Sequence, residues 1–319
     1  LPTILAYSRA LLANGDTVGA KNTLSGATRF AEYDAPKQVE IAALQLAANN
    51  PDGAVYSLEK AFSSQPDYLP AQALMAEAEF KLGDNTKAEK RAREIVAKHP
   101  KLAVGHNILG GIALAKGQAA AAVEAFRRGH DAEPSTDTLL RLFRALSSQD
   151  GGRPAQQLAE QWLKTRPRDL PVRKALADGY ARQGNFVAAQ GAYEAALKVN
   201  PDDAEVLNNL ANVYLKLKNP ASAIKTAELA LTKVPGSATI IDTLGWALFQ
   251  AGQTDRALQL LRDARLRQPA NPEIRYHLAA VLAQTGRKNE AKEELEEALK
   301  SGGGFEGAAD AAKLLQAVK

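Results

Sequence analysis

Cysteine is absent from the 319-residue chain, which excludes disulfides, thiolate metal sites and a cysteine nucleophile without assigning a compartment. No apolar run reaches the roughly 18 residues that cross a bilayer. The opening LPTILAYSRALLANGD lacks the basic start and cleavage site of a secretion signal and reads as an ordinary helix. Since that helix begins with neither Met nor a leader, a mature protein or an excised piece of a longer one is expected. Aromatic residues are scarce, at 6%, while alanine, leucine and long charged residues abound, which favours helix over strand throughout. A large charge of one sign is also missing: 40 basic and 36 acidic residues leave +4, too little to imply nucleic acid unless it is concentrated. The basic runs KAEKRAREIVAKHPK and LRDARLRQ alternate with acidic residues and read as solvated helix faces.

What is present is period. Proline falls at Pro66, Pro100, Pro134, Pro167, Pro201, Pro235 and Pro269, so every gap is 34 residues except one of 33. Lacking an amide donor and biasing the residue before it away from the helical region, each proline marks a forced break. A second mark, usually glycine, divides the period at Gly15, Gly83, Gly117, Gly151, Gly184, Gly252 and Gly286. Glycine tolerates the left-handed conformation that ends a helix, so each period reads helix, turn, helix, with helices of about 12 to 15 residues. Ala20, Ala54, Ala88, Ala122, Ala155, Ala189, Ala223, Ala257 and Ala291 open the second helices, where close approach demands a small side chain. Leu210, Leu244 and Leu278 on first helices, with Leu24, Leu58, Phe126, Tyr193, Leu261 and Leu295 on second ones, are the expected packing partners.

In Leu244-Gly245-x2-Leu248, then Ala257-x3-Leu261, Ala264 and Pro269, the chain resembles the tetratricopeptide repeat, a 34-residue helix-turn-helix with a W-x2-L-G-x2-Y, A-x3-F and P skeleton. Nine units start at Leu1, Ala35, Leu69, Ala103, Asp137, Leu170, Ala204, Ala238 and Pro272. The resemblance implies an all-α, right-handed superhelical solenoid of about nine repeats, closed by a C-terminal capping helix in FEGAADAAKLLQAVK. The expected divisions are repeats 1–4 at 1–136, an atypical repeat 5 at 137–169, repeats 6–9 at 170–305 and the cap at 306–319. Repeat 5 is one residue short, carries SSQDGGRP in its turn and puts Trp162 where alanine is expected. Either the superhelix bends there, as a hinge, or the register shifts by one.

Signals of catalysis are weak. His99 and His106 straddle the Pro100 break without a third ligand at metal spacing, His130 stands alone, and His277 in IRYHLAAVLA reads as partly packed, so no metal is expected. Gly302-x-Gly304-x-x-Gly307 satisfies the letters of the dinucleotide fingerprint but follows a helix rather than a strand. No nucleophile elbow, phosphate loop or zinc-protease motif occurs. The expectation is a non-enzymatic protein without cofactors.

The resemblance implies that a ligand meets the inner surface, at the second, fifth, ninth, twelfth and thirteenth positions of each unit. In the first four units these include Val39, Ala43, Leu46, Phe80, Val104 and Leu114, an apolar end suited to an amphipathic helix or a neighbouring subunit. From the sixth unit they include Lys174, Asp178, Arg182, Asn208, Asn212, Lys216, Asp242, Trp246, Phe249, Gln250 and Tyr276. Asn208 and Asn212, one turn apart, suit paired amide hydrogen bonds to a peptide backbone. Family members that grip extended peptides use an asparagine at the ninth position, which Asn212 matches, with lysines that clamp a terminal carboxylate. Only Lys174, Arg182 and Lys216 approximate that clamp, so peptide holding is favoured over terminal-carboxylate capture. Trp246, Phe249 and Tyr276 suit an aromatic anchor or a sugar ring, or else pack against neighbouring helices.

The last two units, with DTLGWALFQAG, NPEIRYHLAAVLAQTG and EAKEELEEAL, are similar to the end of bacterial repeat lipoproteins associated with exopolysaccharide and exosortase sorting systems. That resemblance implies a scaffold binding a protein or peptide segment in the cell envelope. It would be periplasmic or associated with the outer membrane, held through a lipid anchor upstream of this chain. The alternatives are a carbohydrate-binding module that takes polysaccharide directly, the repeat arm of a larger glycosyltransferase-type enzyme, and a cytoplasmic location.

Overall fold

The computed structural model describes residues 1–300 and 304–318, so Gly302 of the glycine fingerprint lies outside the described residues. Every regular element among the described residues is helical. The chain divides into two compact units, Leu1–Ala155 and Gln156–Lys319. In the first, α1 (Pro2–Ala13) pairs with α2 (Thr17–Leu24), and the short α3 (Thr28–Ala31) follows. Then come the pairs α4 (Ala35–Ala47) with α5 (Pro51–Ser64), α6 (Leu69–Lys81) with α7 (Asn85–Lys98), and α8 (Ala103–Ala115) with α9 (Ala119–Ala132), before α10 (Thr136–Ser147). A 3-10 turn at Asp150–Gly152 leads into α11 (Arg153–Thr165), where the division between units falls. The second unit pairs α12 (Leu170–Arg182) with α13 (Phe186–Leu197), α14 (Ala204–Lys216) with α15 (Pro220–Lys233), α16 (Ala238–Gln250) with α17 (Thr254–Arg267), and α18 (Pro272–Gln284) with α19 (Lys288–Lys300). It ends with α20 (Ala308–Val318).

The turn chemistry follows the glycine marks. All seven of those glycines hold positive φ, between +63° and +85°. In the second and seventh repeats the same left-handed position is filled by Asn49 (φ +54°) and Lys218 (φ +59°), which lack glycine's freedom. The residue that follows commonly caps the second helix: the side chains of Asp84, Asn185 and Asn219 each accept from the amide three residues on.

All nine alanines that open second helices are fully buried, and the leucine, phenylalanine and tyrosine partners beside them are buried too. Burying one such large side chain stabilises by about 1.5–3 kcal/mol, so the repeat positions are where the fold gains most. The approach is close at Gly245 against Leu261 and at Gly110 against Phe126, where a Cβ would lie 2.8 Å and 2.7 Å from the neighbouring side chain. Stacking of successive hairpins joins these sites into extended cores. At the C-terminal end Ala311 is wholly buried, and Leu314, Leu315 and Val318 pack on the core shared by α18 and α19, so α20 covers the last hairpin.

Two places differ from a uniform repeat. The second helix of repeat 1 stops at Leu24 and resumes as α3. Backbone carbonyls near this break are taken by the buried Gln38 amide, which donates to Thr28 O at 2.9 Å and to Glu32 O at 2.5 Å. Thr28 in turn meets Ser57 at 2.8 Å, and Ser57 donates to Gln45 at 2.8 Å, so the hydroxyls and the Gln38 NH2 are matched as a chain, while Gln38 Oε1 is buried without a hydrogen-bond partner among the described residues. In repeat 5, Gly151 and Gly152 both take positive φ. Ala155 and Ala159 are fully buried, and Trp162 fills an alanine site. Its indole N–H donates to Asp169 at 2.7 Å and the Arg166 guanidinium lies 3.7 Å over its ring, so a buried polar edge is matched locally.

Candidate binding face of residues 170–318

In the second unit, α14, α16 and α18 lie side by side in succession. Residues four apart share a helix face, which places Lys174, Asp178 and Arg182 in one stripe and Asn208, Asn212 and Lys216 in another. Asp242, Trp246 and Gln250 form a third. The side chains along these stripes are used very unevenly.

Lys174 is committed to structure. Its ammonium meets Asp203, the cap of α14, at 3.3 Å and pairs with Glu205 in the next repeat. Burial works to lower its pKa but is outweighed by those hydrogen bonds, so the group is held above the ordinary lysine value. Asp178 accepts from the buried Tyr193 hydroxyl and from Asn209 at 3.4 Å. Burial and then this carboxylate push the Tyr193 phenol up. Burial, and then a parallel bond from Tyr180 to Glu160, raises that phenol to about 12. Neither Lys174 nor Asp178 is therefore a free clamp.

Asp242 is not a lining residue. Only 7% exposed, it holds the Nδ1 of His277 with both carboxylate oxygens, at 3.0 and 2.9 Å, and His277 is itself 8% exposed. Trp246 stacks on the imidazole at 4.2 Å with the planes 15° apart. Phe249 and Tyr276 flank the indole at 5.2 and 5.9 Å, and Tyr276 continues to Phe305 at 6.4 Å. The three rings expected to greet a ligand thus form one half-buried cluster over a buried acid–imidazole pair. Nearby, burial holds the Glu273 carboxyl above its usual range; His277 opposes the shift, Asp242 and Glu306 add to it, and Lys216 opposes it.

Around the other end of the face some residues are unengaged. An open cleft of about 450 Å³ is lined by Arg182, Phe186, Tyr193, Asn209, Asn212, Lys216 and Glu306, among others. Arg182 and Asn212 are exposed and make no side-chain hydrogen bond or ion pair among the described residues. Gln250 is exposed and equally unengaged, but lies outside this cleft. Lys216 pairs with Glu306 across 90 residues of sequence. Asn208, by contrast, buries its Oδ1 without a partner and does not line the cleft, whereas its neighbour Asn209 does. The amide pair that lines the cleft is Asn209 with Asn212, three residues apart on α14.

Sequence position alone missed Asn209, Phe186, Glu306 and the supporting Phe305, while Glu273 stands at the second position of the ninth unit and was not singled out. Asn209 was marked only by its place in the run Asn208–Asn209, and Glu306 by its place just before the cap. In the first unit, a separate cleft of about 790 Å³ lies along α6, α8 and α10, lined by Phe80, Val104, Leu74 and Ile108 with Glu77 and Asp137 at its side. Val39 packs on the core formed by α4, α5 and α6 and Leu46 is buried within it, while Leu114 is exposed. Among the described residues no three His, Asp or Glu side chains gather as a metal site, and no helix is long and apolar enough to cross a membrane.

Stacked helical hairpins with small residues at every crossing and an open face on the first helices define a repeat solenoid, a class that works as a scaffold for protein–protein interaction. The tetratricopeptide repeat pattern matches residues 45–109, 174–238 and 248–318, together more than half of the sequence, and the chain belongs to that family. No curated protein sequence matches it. Among solved structures, that of the APC/C hetero-tetramer Cut9–Hcn1 is similar at 18% identity and a TM-score of 0.55, covering 95% of this chain and 59% of that one. This chain therefore spans rather more than half of that protein's length, and at such identity the likeness concerns the fold alone. MamA from Desulfovibrio magneticus RS-1 is similar over 51% of this chain and 93% of its own, at 16% identity and a TM-score of 0.46. YrrB, a TPR protein with an unusual peptide-binding site, is similar over 60% of this chain and 99% of its own, at 19% identity and a TM-score of 0.45.

Proposed function

We propose that the chain is a non-enzymatic scaffold that holds an extended protein segment along the first-helix face of residues 170–318. The observation that carries this reading is the cleft in which Arg182 and Asn212 stand exposed and unpartnered beside Asn209 and Lys216. Amide side chains offer a donor and an acceptor each, which suits a peptide backbone in any sequence, and the guanidinium adds a fixed fork of donors. The half-buried rings of Trp246 and Phe249 give a neighbouring apolar surface for a side-chain anchor. Backbone holding with a few anchors is an economical way to bind many related segments.

The test is display selection of peptides on the purified chain, followed by binding measurements on the selected peptides. Arg182→Ala with Asn212→Ala is expected to weaken them at least tenfold while helix content and melting stay as they were. Unaltered affinity would remove the cleft from the reading. Retention of exopolysaccharide by the chain, lost on Trp246→Ala, would replace the peptide by a polymer.

The similarity of the last two repeats to envelope lipoproteins supports a finer placement. In it, the scaffold serves exopolysaccharide synthesis or export, or protein sorting, outside the cytoplasm and held by a lipid anchor upstream. Cell fractionation that finds the native protein with cytoplasmic markers would end that part of the proposal and leave peptide holding intact.

A further inference from the structure

The turn that leads into α20 is built to put one acidic side chain into the cleft. At Gly307 the backbone takes φ +91°, and a Cβ there would stand 2.8 Å from Tyr276 Cε1, so only glycine lets the turn sit this close to the ring. Phe305 is half-buried beside Tyr276, and the amide of Ala311 donates to Gly307 O at 2.8 Å, fixing the turn to the first residues of α20. Between these two anchors Glu306 reaches Lys216 at the end of α14. The anchors hold the backbone, but nothing encloses the ion pair: the Lys216 and Glu306 side chains keep 43% and 68% of their surface in solvent.

Charge along the cleft makes this contact informative. Its charged lining residues are Arg182, Lys216 and Glu306, so Glu306 is the one acidic lining residue beside two basic ones, and it pairs with Lys216. Rotating Glu306 outward leaves two cations and two amides facing the space it held. We infer that this cleft selects protein segments bearing acidic side chains, and that Glu306 is an intramolecular competitor occupying the place of the ligand's carboxylate. The inference deepens the peptide-holding reading and rests on it. An exposed ion pair stabilises weakly, by a factor of about 1.5 to 5, so a ligand carboxylate with additional backbone contacts displaces it readily.

The alternative role for Glu306 is a staple that merely secures α20, and the two roles move different observables. The probes are labelled (Glu-Ser)4 and (Gln-Ser)4 peptides, both acetylated and amidated so that no terminal carboxylate contributes, titrated against the full chain by fluorescence anisotropy. The wild-type chain is expected to prefer the acidic peptide, and Glu306→Gln to tighten it about 2- to 5-fold. Lys216→Gln is expected to erase the preference. In Lys216→Glu with Glu306→Lys, the competitor pair is rebuilt in reverse and the preference for glutamate should be reduced or lost. Amide exchange in α20 reports whether either substitution loosens the cap. If Glu306→Gln weakens or does not change binding of the acidic peptide, or if both peptides bind wild type alike, the inference is overturned. Should selected peptides still depend on Arg182 and Asn212 in that event, peptide holding stands without it; if no peptide is selected at all, peptide holding itself fails.

Discussion

Two adjacent glycines on α8 offer a direct measurement of what the repeat positions do. Gly110 and Gly111 share the same helical backbone, so replacing either with alanine removes the same unfavourable helix propensity, about 0.8–1 kcal/mol. They differ in what the new methyl meets. At Gly111 nothing lies within 4 Å, and the expected result of Gly111→Ala is a gain of about 0.5–1 kcal/mol. At Gly110 a Cβ would stand 2.7 to 2.8 Å from three ring atoms of Phe126, roughly 1 Å inside normal carbon contact. Phe126 is 3% exposed and has no free volume to retreat into, so overpacking of about 1–3 kcal/mol is set against the propensity gain. Gly110→Ala is therefore expected to be destabilising by up to about 2 kcal/mol, and the two neighbours to differ in sign. A repeat array need not unfold in one step, so the assay is native-state amide exchange read on α8 and α9 rather than a global midpoint. Phe126→Leu combined with Gly110→Ala should recover part of the loss, giving a coupling of about 1 kcal/mol. If both glycine replacements stabilise equally, close approach is not what selects glycine at this repeat position.

The left-handed turn residues and the buried carboxyl give two more tests. Lys218 holds φ +59° without glycine's freedom, so Lys218→Gly is expected to stabilise α14 and α15 by about 0.5–1 kcal/mol, with Gly252→Ala at φ +78° costing about as much or more; exchange rates that do not move in opposite directions would contradict this. Glu273 has a folded-state pKa raised above its ordinary value of 4.5, so the folded chain holds that proton more tightly than the unfolded one. Its ionised form costs stability above the folded pKa, and the cost is relieved as pH falls through that value toward 4.5. Glu273→Gln should thus melt higher than wild type at pH 7, with the gap closing toward pH 4.5; a gap of the same size at both pH values would place the burial cost elsewhere.

The backbone of this fold was legible because its constraints are local and repeated. Where the chain must leave the helix it needs glycine-like φ, and where it must stop it carries proline. Where two helices touch it carries alanine. Each requirement recurs at a fixed interval, so Gly15 and Gly286 report the same geometry as any glycine between them. Exceptions remained hidden where a different residue meets the same demand at a cost, as Asn49 and Lys218 do, or where a distant side chain takes backbone carbonyls of a short helix, as Gln38 takes those of Thr28 and Glu32 in and just after α3.

The binding face was legible in direction and not in occupancy. Position within a repeat says which way a first-helix side chain points, but the neighbouring repeat decides whether it is already taken. Asp242 is claimed by His277, 35 residues on, and Lys174 by Asp203 and Glu205, 29 and 31 residues on. Asp178 meets Asn209 at a separation of 31. These offsets fall near one period, so reading two repeats together, with each charge checked against its partner about one unit later, exposes most of them. By that test Lys174, Asp178 and Asp242 are already engaged, while Arg182 and Asn212 make no side-chain hydrogen bond or ion pair among the described residues. Lys216 escapes any such rule because its partner lies outside the repeating part of the sequence, in the turn before α20, where no period says which side chain will face the cleft. A solenoid's own ends are thus where its binding chemistry is least readable from its repeats, since only there can the chain bring a non-repeating group onto a repeating surface.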